Sequence, residues 1–219
     1  MSRTTRSAAK ALQAVAPVAP VAPPVASPTP PSSLPIHLFE DMQAWESWLE
    51  SNHRTENLGV FLKISKKGCA VPSVTYDEAV DTALCFGWID GQRKSHDESH
   101  FIQKFTPRRK ASIWSKRNVD KVAVLVEAGR MRPAGQSEVD AAKADGRWEK
   151  AYHGSSTAVV PEDFEAALNR NKKAKNFFES LGKTKRWTFI WRIDTAKRAE
   201  TRKKRIDEFV ALLAQGKTL

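Results

Sequence analysis

The side chains able to do chemistry crowd into one stretch, Cys85 to Asn118, CFGWIDGQRKSHDESHFIQKFTPRRKASIWSKRN. Arg108, Arg109, Lys110, Lys116 and Arg117 surround Trp114, and Ser115 or Asn118 is placed to cap a following helix. A helix N-terminus beside arginines is a ready anion site, because free backbone amides and guanidinium donors both want negative oxygen. Asp90 and Gln92 stand on the end of a neighbouring strand, where they could orient the arginines or a ligand. The candidate ligand pocket is therefore Asp90, Gln92, Arg108, Arg109, Trp114, Ser115, Lys116 and Asn118. The competing expectation is structural: Asp90 pairs with Arg108 or Arg109 inside the domain, and Trp88 and Trp114 are core.

No reaction is spelled by this stretch. His96 and His100 would both have to converge on a metal, and no distant His/Cys pair completes a zinc set. Ser112 and Ser115 near His100 lack the Gly-x-Ser-x-Gly elbow of a nucleophilic serine. Gly87 and Gly91 lack the spacing of the phosphate-binding glycine motifs. The expectation is no metal, no cofactor and no catalytic residue. Two cysteines, Cys69 and Cys85, make neither a disulfide framework nor a zinc site; free thiols suit a reducing, cytoplasmic setting.

Charge points to a second surface. From Arg170 to Arg205 fourteen Lys/Arg stand against Glu179, Asp194 and Glu200, which accounts for the entire net charge of +11. Such a field attracts polyanions, nucleic acid or acidic protein. Lys185, Arg186, Arg192, Lys197, Arg198 and Arg202 are the candidate nucleic-acid contacts, interleaved with Trp187, Phe189 and Trp191 as in single-strand binders. Tryptophans four apart on a helix are also a core signature, and core is the expectation for Trp187 and Trp191.

These residues must be held by regular elements. Residues 1–35 are Ala/Val/Pro-rich; prolines interrupt the apolar run a secretory signal needs, and a disordered, polyproline-leaning tail is expected. Met42, Trp45 and Leu49 predict a helix, and Val60, Leu62 and Ile64 a strand. Thr75 and Glu78 are spaced as a capping box opening a helix that carries Val80, Ala83, Leu84, Gly87 and Trp88. Residues 88–90 and 100–105 read as an antiparallel pair around the turn at Ser95–Glu98, ended by Pro107. Val119, Val122 and Val126 predict the buried face of the next helix, and Ser137 the cap of another with Val139 and Ala142 inward. Residues 149–160 read as a Ser/Thr-rich linker. Pro161 then starts a helical unit carrying Phe164, Leu168, Phe177, Phe178, Trp187, Ile190, Ile206, Phe209 and Leu213. No apolar run approaches the roughly 20 residues of a membrane helix. The expected class is α+β: a small antiparallel sheet packed by helices over 36–150, then a helical domain over 158–219.

ALCFGWIDGQ (83–92), FTPRRKASIWSKRN (105–118), EAGRMRPAG (127–135) and the pattern PEDFEAAL…FFESL…WRIDTAKRAETRKKRI together resemble the YdeI/OmpD-associated, or bacteriocin-protection, family over about residues 38–216. The resemblance implies an α+β portion followed by a helical domain, and a link to tolerance of bacteriocins or cationic antimicrobial peptides. It carries over no catalytic residue. A chain of +11 does not sequester a cationic peptide by charge, because like charges repel. The expected function is thus non-enzymatic binding in stress or bacteriocin protection. The alternatives are nucleic-acid binding through the basic helices and an enzyme centred on Asp90, Arg108 and Arg109.

Overall fold

A computed structural model describes residues 34–219; the Ala/Pro-rich tail up to Ser33 lies outside the described residues. In chain order the elements are β1 (Ile36–Leu38), α1 (Met42–Asn52), β2 (Val60–Ser65), α2 (Tyr76–Cys85), β3 (Trp88–Ser95), β4 (His100–Pro107), α3 (Lys116–Glu127) and α4 (Pro133–Ala144). After the irregular segment 145–161 come α5 (Glu162–Asn169), α6 (Lys172–Ser180), α7 (Lys183–Asp194) and α8 (Ala199–Ala214). The class is α+β.

The sheet is four-stranded, ordered β1-β2-β4-β3. β2 pairs antiparallel with β4, Val60 opposite Phe105 and Ser65 opposite His100. Alternation along β2 puts Val60, Leu62 and Ile64 in the core, as their period of two demands. One correction to the expected antiparallel sheet is β1, which pairs parallel to β2, so the sheet is mixed. Three residues are too few to show a period, so β1 left no trace in the sequence.

The hairpin is longer than expected. β3 continues through Arg93 to Ser95, with the register slipping between Asp90 and Arg93. The extra residue of such a bulge is left unpaired and breaks the alternation that marks a strand. The preceding helix stops at Cys85: Gly87 adopts φ +75°, a conformation only glycine takes cheaply, and turns the chain so that Trp88 opens β3 instead of extending α2. The capping box of α2 is formed, Thr75 Oγ1 accepting from the Glu78 amide and Glu78 Oε2 from the Thr75 amide.

Two further local expectations are corrected. α3 buries Asn118, Val122 and Leu125, while Val126 is 50% exposed, because the helix packs on α2 through the 118/122/125 stripe. α4 begins at Pro133, not at Ser137. Proline supplies a helical φ at a position whose amide has no partner to lose, so no hydroxyl cap is required.

Two separate apolar cores result. The first joins Trp45, Leu49, Val60, Leu62, Ala83, Leu84, Trp88, Phe105, Trp114, Val122 and Val139. The second, within α5–α8, is built from Phe164, Leu168, Phe178, Phe189, Ile193, Ile206, Phe209 and Leu213. Among the described residues no helix is long and apolar enough to cross a membrane.

Candidate functional site

Arg108 follows directly on β4, its amide donating to the Gly87 carbonyl at 3.0 Å. From there the guanidinium lies over the Trp114 ring, 3.4 Å from the centroid. Both are sealed: Arg108 is 7% exposed and Trp114 1%. Burial depresses the guanidinium to about 10, with Glu138 and Asp90 opposing the shift. Nη1 reaches the Ile113 carbonyl at 3.4 Å, and Nε and Nη2 have no partner in the protein. Trp114 in turn packs edge-on against Trp148, ring centroids 4.9 Å apart.

The other members of the expected pocket go elsewhere. Asp90 Oδ2 accepts from the Tyr76 hydroxyl at 2.7 Å, so neither of the expected Asp90–arginine pairs forms. Burial first, then that hydrogen bond, pushes Tyr76 up to about 12. Gln92 sits in the exposed bulged part of β3, and the Arg109 side chain is exposed while its amide donates to Ser112 Oγ. Ser115 caps α3 by accepting from the Asn118 amide at 3.2 Å, and Asn118 is buried beneath it. Lys116 pairs with Asp120 and lines a cleft with Arg117, Lys121 and His153. Of the eight residues, Lys116 is the one that lines any cleft described here. The stack of Arg108 on Trp114 closes the place where an open anion pocket was expected.

An open site exists next door, where the chain leaves the first core. Lys116 N donates to the Tyr152 carbonyl at 2.8 Å and Tyr152 N to the Trp114 carbonyl at 3.0 Å, a short parallel bridge that fixes residue 152. Arg147 braces the approach, its Nη1 on the Ser112 carbonyl at 2.9 Å and its Nε on Asp145. Around Tyr152 opens a cleft of about 840 Å³, lined by Lys110, Ile113, Arg147, Lys150, Thr195 and Lys197 among others. That volume falls within the range of small-ligand sites. Its two carboxylates are engaged, Asp145 with Arg147 and Asp194 with Arg202, and Asp145 is held below the usual carboxylate range by Arg147. Lys110, Lys150 and Lys197 are exposed, and their ammonium groups meet no acceptor among the described residues.

Tyr152, His153 and Asp194 also line an adjoining hollow of about 310 Å³, walled by Val160, Pro161, Trp187, Ile190 and Trp191. The three aromatic rings form a triangle with centroids 6.0–6.3 Å apart. Trp187 Nε1 donates to the His153 carbonyl at 2.7 Å, which sets its ring, whereas the buried Trp191 Nε1 has no partner. Trp187 and Trp191 were expected in the core of the helical unit. Phe189, Ile190 and Ile193 fill that role, because they occupy the stripe of α7 that faces α8, and the tryptophans fall on its flank.

The basic helices divide by role. Lys185, Arg192 and Arg198 are exposed; Arg186 lines a small hollow with Trp187, and Lys197 lines the large cleft. Arg202 is not free: it holds Asp163 through Nε and Nη2 and Asp194 through Nη1, and its proton is held more tightly for it. It braces α8 against the start of α5 and the end of α7.

Sequence reasoning missed Lys150 and Tyr152, and it named Lys110 among the cations around Trp114 without placing it in a pocket. The signal available was one aromatic, Tyr152, inside a segment otherwise suited to a linker.

No curated protein and no solved structure matches the chain. Residues 37–138 match the model of a domain described as Domain of unknown function (DUF8412). Residues 157–216, the stretch that holds α5–α8, match the model described as Bacteriocin-protection, YdeI or OmpD-Associated.

Proposed function

We propose that this protein works by binding and not by catalysis, and that its ligand is an anion seated in the cleft around Tyr152. The observation that carries the reading is the trio Lys110, Lys150 and Lys197: three ammonium groups around one cleft, with every carboxylate that lines it already engaged. Concave sites at the junction of two packed units are common ligand sites, and fixed like charges in one raise the local concentration of counter-ions. Protection against bacteriocins or antimicrobial peptides would then be indirect, through the anionic ligand, since a chain of +11 repels a cationic peptide. The reading fits a protein of the cytoplasm, where free thiols persist and soluble phosphorylated ligands are available.

Calorimetric titration with inorganic tripolyphosphate tests it. Wild-type protein should bind, and the triple variant Lys110→Gln/Lys150→Gln/Lys197→Gln should lose binding at least tenfold, about 1.4 kcal/mol. Equal binding by the two proteins would move the site off this cleft.

A further inference from the structure

The cleft and the hollow share a wall, and their chemistries differ. One side offers free ammonium groups, the other three aromatic rings with Val160, Pro161 and Ile190. Tyr152 and His153 belong to both, so a ligand crossing the wall would contact rings and lysines together. A simple inorganic anion uses the first side and leaves the second empty.

We infer that the ligand is a nucleotide unit, its phosphate on Lys110, Lys150 and Lys197 and its base against Tyr152, Trp187 and Trp191. Three observations converge. The rings are half-buried and oriented by the backbone: Trp187 by its bond to the His153 carbonyl, Tyr152 by its pairing with Ser115. Such rings stack a base at low entropic cost, since they are already held. The Trp191 indole N–H is buried without an acceptor, and a base or sugar oxygen can supply one. Further cations lie beside the hollow, Lys183 and Arg186 along the small cleft that also includes Trp187 and Ile190, so a backbone running past the rings would meet positive charge on both sides. Aromatic stacking flanked by lysines is the combination that recognises unpaired bases without reading sequence.

The one carboxylate near the rings without a partner among the described residues is Glu162, at the outer lip of the hollow. It opposes a phosphate there and favours seating the phosphate on the Lys110–Lys150–Lys197 side. The same nucleotide chemistry is offered by a free nucleotide and by a single strand of nucleic acid, and the experiment separates them.

This inference rests on the anionic-cleft reading and adds the base. Binding is measured by tryptophan fluorescence and by calorimetry for four probes: tripolyphosphate, inorganic polyphosphate, adenosine monophosphate and a single-stranded oligo(dA). The expected result is that oligo(dA) binds more tightly than polyphosphate of matched charge. Trp187→Leu should weaken it roughly thirtyfold, the middle of the range for losing one stacked base. Trp187→Phe, which keeps a ring, should recover most of that loss, and polyphosphate binding should not change in either variant. Lys150→Gln/Lys197→Gln should weaken every probe and lower the salt slope for the single strand by about 1.4, from 0.7 per neutralised phosphate. Adenosine monophosphate binding as tightly as oligo(dA) would assign a free nucleotide; a large preference for the oligonucleotide would assign a strand. Either supports the inference. If oligo(dA) and polyphosphate bind alike and Trp187→Leu changes nothing, the base has no place here and only the anionic cleft stands. If tripolyphosphate and polyphosphate also fail to bind, both readings fall. Tyr152→Leu gives a second probe of the stack should Trp187→Leu not fold.

Discussion

At the scale of the residue, the same side-chain type plays opposite parts according to its surroundings. Arg108 is buried on Trp114 with two donors unpartnered, a costly position offset in part by a cation–π contact worth about 2 kcal/mol when desolvated. Lys150, in the irregular segment, and Lys197, between α7 and α8, are exposed and meet no acceptor among the described residues, which leaves both free for a ligand. Asp97 shows how a surface-looking motif becomes structural. In the turn of the β3–β4 hairpin it accepts from the amides of Ser99 and His100 and from His100 Nδ1 at 2.9 Å, and pairs with Lys63 at 3.0 Å. The Lys63 ammonium foremost, then His100 and the amides, holds this carboxyl well below the usual range. A depressed carboxyl contributes stability that is complete above its unfolded value of 3.8 and fades as pH falls from there toward the folded value. Asp97→Asn should therefore melt lower than the parent near about pH 6, with the gap closing as pH drops toward about 2. A gap independent of pH in thermal melts would mean that the charge of Asp97 does nothing for the hairpin.

At the scale of the element, close backbone approach decides more than propensity. α4 lies so near the end of α2 that a Cβ on Gly135 would stand 2.2 Å from the Cys85 carbonyl oxygen and 2.6 Å from that of Leu84. Helix propensity alone would favour Gly135→Ala by about 1 kcal/mol. The clash is with backbone, which cannot step aside, and overpacking costs about 1–3 kcal/mol. Packing wins, and Gly135→Ala should lower the stability measured in urea by up to about 2 kcal/mol net. Ser137→Ala, at an exposed position of the same helix, should stay within about 0.5 kcal/mol. A stabilised Gly135→Ala would show that α4 can slide away from α2. Cys85 is buried in the same region, and that burial pushes its thiol up to about 11.

At the scale of the whole molecule, two cores are joined by a segment that carries the candidate site. Phe189 is 1% exposed and meets Phe209 at 5.3 Å and Phe178 at 6.3 Å, all inside the second core. Phe189→Ala should cost about 3–5 kcal/mol. Hydrogen exchange should locate the loss in α5–α8, while the amides of β2 and β4 keep their protection. Uniform loss across both cores would mean that the bridge at Tyr152 couples them into one cooperative unit. Ligand that spans the cleft should reverse part of the loss, because it touches Lys110 and Lys150 on one side and Lys197 on the other.

Local signals by themselves determined much of this protein. The capping box at Thr75, the alternation of Val60, Leu62 and Ile64, and the apolar stripe of Ile206, Phe209 and Leu213 each lie within a few residues, so the sequence displays them and the structure keeps them. The α+β class and the likeness of residues 157–216 to the YdeI/OmpD-associated model follow from such patterns. What only the tertiary structure decided are pairings between distant residues. β1 runs parallel to β2, Leu125 and not Val126 faces inward, and Arg108 turns onto Trp114 instead of toward a ligand. The cleft draws on residues near 110, near 150 and near 195, and no local spacing encodes that meeting. Side-chain burial is set by what packs against a face, and that partner is supplied by a part of the chain whose position the intervening turns fix only once the whole has folded.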